Sequence, residues 1–406
     1  MSQAQNHKLY IVMVGLPAMG KSTVAAKLEE SFRHGGIKVK IFNNGNLRRK
    51  LLGAHTSEPD FYAPENTEGM SQREMVARLN IRNARKFLAA KGQVAILDAT
   101  NVSRERRRTV RRMLNNHPIL FLECLNEEEE MLDASISRKT RLPEFSRLTF
   151  EEAYQSFTER IAYYRRIYTP LYEEENFMVL DSLNNRIFRE RISKDIPHYI
   201  RIRDLLVSDW VKNLSLIRHG VSQFNLQNRI GGDSDLAPEG RKQARALAEH
   251  FKNLHLPFVF TSTLKRTIQT AQPILERHPD ATLISLPEFD EIDAGECENL
   301  SYEEIRRIHP EIFLARSRDK YNYVYPRGEG YATLKDRVDR GVKKALYLSG
   351  NADNIMIVGH QAVNRMILSH FLFRRTEDVP YIFIPQDRYF HIVSTQRKKL
   401  FQLKSY

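Results

Sequence analysis

Only two cysteines, Cys124 and Cys297, occur in 406 residues, which excludes a disulfide framework and a cysteine-built zinc site. Cys124 lies in the apolar run from Ile119 and reads as a small packed hydrophobe. No apolar stretch approaches the roughly 20 residues of a membrane span, and no basic-then-apolar leader opens the chain. A cytoplasmic protein with no membrane partner is therefore expected. Acidic residues are in deficit, 50 against 63 Lys and Arg, for a net charge of +13. The excess is scattered in short clusters, Arg48-Arg49, Arg104-Glu105-Arg106-Arg107-Arg108, Arg138-Lys139 and Arg327. That distribution suits several phosphate pockets better than one continuous groove, so nucleic acid is not the expected partner.

What is present fits a soluble globular chain of two or three domains, 41% apolar and 28% charged. Its first half alternates between short apolar runs and helical periodicity. Strands are read at 9–14, 39–42, 93–97, 119–124 and 177–180, with helices at 22–33, 71–90, 103–114 and 150–164 between them. The second half repeats the pattern, with strands at 214–217, 258–261 and 355–358. The expected fold is α/β in both halves, each a mostly parallel sheet with helices on both faces. Between 184 and 210 the pattern loosens into a charged stretch with Ile196-Pro197. The expected boundary lies there, giving domains 1–208 and 209–406.

Two signatures follow strands and handle phosphate in opposite senses. Gly15-Leu16-Pro17-Ala18-Met19-Gly20-Lys21-Ser22, continued by Thr23, has the spacing of a nucleotide-binding loop. Its glycines let backbone amides turn toward phosphate, Lys21 neutralises the outer phosphates, and Ser22 can hold magnesium. Asp98 ends the third strand and is either a magnesium partner or the N-cap of the helix that follows.

The second signature is Arg218-His219-Gly220, and a further apolar strand ends at Gly359-His360-Gln361. In a parallel sheet both histidines face one crevice. A neutral imidazole among the guanidiniums of Arg218 and Arg266 is suited to attack phosphorus, while the arginines bind equatorial oxygens. A proton donor for the departing alkoxide is also needed. Glu291 sits in a suitable loop, unless it is merely a surface carboxylate.

The second half resembles the histidine phosphatase superfamily through Arg218-His219-Gly220, Arg266, Glu291 and Gly359-His360. Joined to the nucleotide-binding half, the chain resembles the bifunctional 6-phosphofructo-2-kinase/fructose-2,6-bisphosphatase family from about Tyr10 to about Phe390. The likeness also rests on Asp98-Ala99-Thr100-Asn101 followed by Arg104-Glu105-Arg106-Arg107, on 230–234, on Glu291-Ile292-Asp293-Ala294-Gly295, on Tyr325-Pro326 and on 360–363. It implies that the kinase half uses ATP and Mg2+ to phosphorylate fructose 6-phosphate at its 2-hydroxyl. Arg48, Arg49, Arg82, Thr100, Arg106, Arg160 and Tyr164 would then hold the sugar phosphate, and Lys139 would bridge the substrates. For the other half it implies hydrolysis of fructose 2,6-bisphosphate through a phosphohistidine on His219. Glu291 would act as acid and then base, with Arg218, Asn225, Arg266 and His360 clamping the phosphate. Tyr302, Arg316, Lys320, Tyr331, Gln361 and Arg365 would grip the rest of the substrate. A homodimer is implied as well.

Met19 stands where animal members of the family carry arginine, and Val221 where glutamate usually follows the Arg-His-Gly triplet. The first departure removes charge near ATP; the second could alter rate or close the pocket. Long regulatory tails are not evident, so control by their phosphorylation is not expected. Two other readings fit the residues: a phosphatase whose degenerate kinase half senses nucleotide, and a nucleic-acid end-processing kinase and phosphatase.

Overall fold

The computed structural model describes all residues except 1–6, 54–55, 57–58, 63–64, 141–142, 194–195 and 373. The chain divides into two compact units, Met1–Ser208 and Asp209–Tyr406.

The first unit is built on β1 (Leu9–Val14), β2 (Val39–Asn43), β3 (Val94–Asp98), β4 (Ile119–Leu125), β5 (Phe177–Asp181) and β6 (Arg186–Arg191), in the order β2-β3-β1-β4-β5-β6. All pairings are parallel except the last, which is antiparallel. Every residue of β1 and β3 is buried, because helices cover both faces of a parallel sheet. One face gathers Tyr10, Val12 and Val14 with Ile81, Ala84 and Leu88 from the helix Thr67–Ala89 and Val110 from the helix Arg104–Met113. β1 lies between β3 and β4, where the order of winding reverses, so the loop after it opens into the crevice at the strands' carboxyl ends.

The loosened stretch of sequence proves to hold a strand. β6 is an edge strand with mostly exposed side chains, so no apolar alternation marks it. Its Arg189 and Arg191 lay their guanidiniums over the rings of Tyr172 and Phe177. The helix Tyr199–Leu206 follows and buries Ile202, Leu205 and Leu206. Helices Asn44–Leu52 and Glu129–Thr140 also lie where no element was read.

A buried cation fixes the end of β3. Arg107, 1% exposed, pairs with Glu174 at 2.6 Å and donates to the carbonyls of Val102 (2.7 Å), Thr169 (2.9 Å) and Pro170 (3.3 Å). Asn101 in turn donates to Met13 O, and Gly15 N to Thr100 O, which ties this turn to the nucleotide loop. Replacing Arg107 with methionine should cost roughly 3 kcal/mol, because Glu174 and the carbonyls would lose their buried partner. Urea unfolding with an unchanged midpoint would refute this.

The second unit is built on β7 (Val211–Arg218), β8 (Phe258–Thr261), β9 (Thr282–Ser285), β10 (Asn354–Gly359), β11 (Arg388–Ser394) and β12 (Lys399–Ser405), in the order β12-β11-β7-β10-β8-β9. β7, β10, β8 and β9 run parallel, and β11 and β12 add an antiparallel edge. β7 and β10 are neighbours in register, with Gly359 opposite Arg218. Their carboxyl ends therefore deliver His219 and His360 to one crevice.

Candidate active sites

The nucleotide loop is held in conformations that most side chains avoid. Gly15 has φ +134°, and a Cβ there would stand 2.5 Å from Cys124 O. Ala18 is also left-handed at φ +65°, fixed by packing with Ile136, Phe145 and Phe157. Gly20 forms the N-cap of the helix Lys21–His34, so the first amides of that helix face the loop. Lys21 is 8% exposed, donates to Leu16 O at 2.5 Å, and is lowered to about 8 by burial, against the opposing pull of Asp98. Burying an ammonium is costly unless an anion arrives. Ser22 is exposed and Thr23 half-buried.

Asp98 accepts from Asn43 Nδ2 at 2.5 Å. It is not the N-cap of the next helix: Ser103 is, accepting from Arg106 N. Lys139 is lowered to about 8 by burial and then by Arg160, and its charge interacts with both Lys21 and Asp98. Met19 is 6% exposed, and its carbonyl accepts from Ser182 Oγ at 3.1 Å. The apolar side chain thus sits inside the protein, where a charged one would need a partner.

Beside this loop cationic and aromatic side chains converge on Tyr62. Arg48 donates to its hydroxyl, and the Arg160 guanidinium lies 4.6 Å from its ring centre. Tyr164 packs edge-on at 6.2 Å. Burial and then Arg160 lower Arg48 to about 9, and Arg160 Nε is buried with no hydrogen-bond partner. Such crowding of like charge suits an anionic ligand. Arg49 instead pairs with Glu144, and Arg106 with Glu74 at 2.5 Å. Thr100 is half-buried past the end of β3. Arg82 is exposed on the helix Thr67–Ala89 and makes none of these contacts. From the same helix it is Arg73 that reaches the cluster, lying over the rings of Phe61, Tyr62 and Tyr163. Neither Arg73 nor Tyr62 was singled out from sequence, since the turn Pro59–Tyr62 that aligns them carries no motif.

In the second unit the two imidazoles stand 5.1 Å apart, His219 at 3% and His360 at 0% exposure. His219 Nδ1 lies 2.8 Å from Gly220 O, an obligate acceptor, so Nδ1 carries the proton and Nε2 keeps its lone pair. Burial, then Arg266 and Arg218, hold this imidazole well below the usual range, hence neutral. His360 is lowered likewise by burial and Arg266. Arg266 Nε donates to His360 Nδ1 at 3.2 Å, which leaves His360 Nε2 as the donor to Ser262 Oγ at 2.8 Å.

Arg218 donates to Ile384 O, and its Nε is buried without a partner. Glu291 is only half-exposed and no free surface group: its Oε2 accepts from Gln361 N at 3.0 Å, and its Oε1 from Ala362 N at 3.1 Å. These amides begin the helix Gln361–Phe371. A cavity of about 350 Å³ is lined by every residue of this half that the family resemblance assigns to the site except His360, which is fully buried against Arg266 and His219. Six cationic side chains, Arg218, Arg229, Arg266, Arg316, Lys320 and Arg365, line it against the single carboxylate of Glu291. Burial, then Arg316 and Arg365, lower Lys320 to about 8.

Tyr331 accepts from Arg365, and Tyr302 from Arg316. Asn225 Oδ1 and His219 O are joined by Gln386 Nε2, at 3.0 Å each. Gln386 precedes β11 in a loop without regular structure, and nothing local in the sequence marked it or Ser262 as part of a site. Val221 does not line the cavity; its backbone bonds to Gln243 and Ala237, so the valine has not closed the pocket.

The chain matches two family descriptions: 6-phosphofructo-2-kinase over residues 1–203, and histidine phosphatase superfamily (branch 1) over residues 214–404. It is 34% identical over 391 residues to human 6-phosphofructo-2-kinase/fructose-2,6-bisphosphatase 3, covering 94% of this chain and 73% of that protein. It is also 34% identical over 385 residues to human 6-phosphofructo-2-kinase/fructose-2,6-bisphosphatase 4 (92% and 80%). The rat enzyme numbered 1 is 32% identical over 393 residues (94% and 81%).

Proposed function

The chain belongs to the 6-phosphofructo-2-kinase/fructose-2,6-bisphosphatase family, and from that premise we propose how its two sites divide the work. The protein is a bifunctional enzyme that makes fructose 2,6-bisphosphate from ATP and fructose 6-phosphate at the first site and hydrolyses it at the second. The observation that carries the second activity is the buried pair of neutral histidines facing six cations and one carboxylate. A doubly phosphorylated sugar matches that charge, and its 6-phosphate would be taken by Arg316, Lys320 and Arg365.

In the first step His219 Nε2 attacks the 2-phosphorus. The P–O2 bond breaks, its electron pair goes to O2, and Glu291 supplies the proton. Arg218 and Arg266 hold the equatorial oxygens, whose charge they stabilise in the transition state. In the second step Glu291 takes a proton from water, the water oxygen attacks phosphorus, and the N–P pair returns to Nε2.

In the kinase unit Lys21 meets the outer phosphates of ATP, and Lys139 spans nucleotide and sugar. Arg48, Arg160 and Tyr164 take the sugar 6-phosphate together with Arg73. Ser22 and Asp98 would hold Mg2+; two oxygen donors fit an ion that takes its other ligands from phosphate and water. Bound there, the ion would neutralise charge developing between the β- and γ-phosphates. Among the described residues no general base is in evidence around the sugar site, so positioning and charge supply the catalysis. Lys21, Asp98 and Lys139 all remain in place beside the buried Met19, which favours a working kinase over a mere nucleotide sensor. A homodimer, by likeness to the family, could form along the exposed edge of β6, where Phe188 is 46% exposed.

Purified protein given ATP, Mg2+ and fructose 6-phosphate should form an acid-labile sugar bisphosphate and slowly consume it once ATP is removed. Labelling of oligonucleotide ends with no sugar product would point instead to the nucleic-acid reading.

A further inference from the structure

Glu291 must present a proton to one oxygen within hydrogen-bond reach, yet the backbone that carries it has no regular structure from 291 to 294. Its precision is supplied from elsewhere. Arg337, on the helix Tyr331–Ser349, donates through Nη1 to the carbonyls of Pro287 (3.2 Å), Glu288 (3.1 Å) and Asp290 (2.8 Å). Its Nη2 reaches Glu291 O at 3.5 Å and Glu329 Oε2 at 2.6 Å, and its Nε reaches Glu329 Oε1 at 2.9 Å. Glu329 closes the bracket from the other side. Its Oε2 accepts from Asp293 N at 3.1 Å, and its own N donates to Asp293 O at 2.8 Å. Arg337 does not line the cavity, so it cannot act by touching substrate there.

We propose that Arg337, braced by Glu329, is a positioning residue that holds the Glu291 carboxyl against the leaving oxygen. A guanidinium suits this task because its planar fork can serve several carbonyls and one carboxylate at once, whereas an ammonium offers three donors on a single atom. The proposal rests on the assignment of Glu291 as proton donor.

A general effect on the fold or the electric field would leave a different mark. Arg337 contributes to the positive potential at His360, and loss of that field, or of local order, would slow attack on every phosphate ester alike. Loss of proton delivery harms only esters whose leaving oxygen needs the proton. p-Nitrophenyl phosphate releases a stable phenolate and does not need it; fructose 2,6-bisphosphate releases an alkoxide and does.

The test is the rate of the first turnover, measured by rapid mixing for both esters, so that the later water step does not intervene. Arg337→Met should slow the first turnover of fructose 2,6-bisphosphate by about 10²-fold and that of p-nitrophenyl phosphate by no more than about 3-fold. Glu329→Gln, which keeps the backbone bonds of residue 329, should show the same contrast at smaller size. It decides the matter by the same criterion where Arg337→Met fails to fold. Equal losses with both esters, or no loss with either, overturn the inference. Glu291→Ala runs alongside. If it too lacks the contrast, the assignment of Glu291 fails and takes Arg337 with it. If it shows the contrast while Arg337→Met and Glu329→Gln do not, only the role given to Arg337 falls.

Discussion

Replacing His219 with alanine is expected to lower hydrolysis of fructose 2,6-bisphosphate by on the order of 10⁴-fold or more, while synthesis continues. The size follows from the absence, among the described residues, of a substitute nucleophile in the crevice. His360 is the other imidazole there, but both its nitrogens are engaged, Nδ1 by Arg266 and Nε2 by Ser262. The wild-type enzyme, quenched during turnover, should yield a phosphohistidine, and the variant none. Acid sensitivity provides a second readout. Burial and two guanidiniums keep His219 neutral well below the ordinary imidazole range, so protonation disables it only at a pH well under that range. The acid limb of kcat/KM should therefore not fall near the usual histidine value through this residue. Hydrolysis by the variant within about tenfold of wild type would remove His219 from the mechanism.

Much of this arrangement is legible in the chain because of where the strands end. β1, β3, β7 and β10 are covered by helices or flanking elements, which favours apolar runs, and those of β3, β7 and β10 lead into polar residues at the crevice, while β1 leads into Gly15 and the nucleotide loop. Asp98, Arg218-His219 and His360 are readable for that reason. β6 is not, since an exposed edge strand has no core to report, and its arginines stack on rings supplied from 172 and 177. The edge strand β12 escaped in the same way, with mostly exposed side chains, while β11 carries Arg388 and His391 among its apolar residues and pairs with a distant β7.

Side chains whose roles depend on long-range contacts were the least legible. Arg73 and Arg82 share one helix, and spacing alone cannot say which of them faces Tyr62; the turn at 59–62 decides that. Gln386 reaches His219 O across 167 positions, and Arg337 grips a loop about as far away as 50. Neither belongs to a local pattern. The sequence also left open whether Glu291 was a surface carboxylate and whether Val221 filled the pocket. Both questions were about what lies opposite a residue, and the start of the helix Gln361–Phe371 and the bonds of Val221 to Gln243 and Ala237 answer them.

Lys21→Ala should lower synthesis of fructose 2,6-bisphosphate by on the order of 10³-fold and leave hydrolysis unchanged. The ammonium is buried and donates to Leu16 O, a weak partner that a γ-phosphate oxygen would replace. Charge on those oxygens grows toward the transition state, so the loss should fall mainly on kcat. Misfolding is a poor alternative explanation, because deleting a buried cation removes a desolvation cost, and the variant should unfold no more readily than wild type. The pH dependence separates this role further. Lys21 is lowered to about 8, so in the free enzyme it is charged below that value and loses its proton as pH rises through it. Phosphate binding favours the charged form, so wild-type affinity for ATP should weaken as pH climbs past about 8. Lys139 titrates in the same region, so Lys21→Ala should flatten this limb without abolishing it, and Lys21→Ala combined with Lys139→Ala should abolish it. An unaltered alkaline limb in the double variant, or a kinase rate for Lys21→Ala within about tenfold of wild type, would show that the loop's backbone amides alone hold the phosphates.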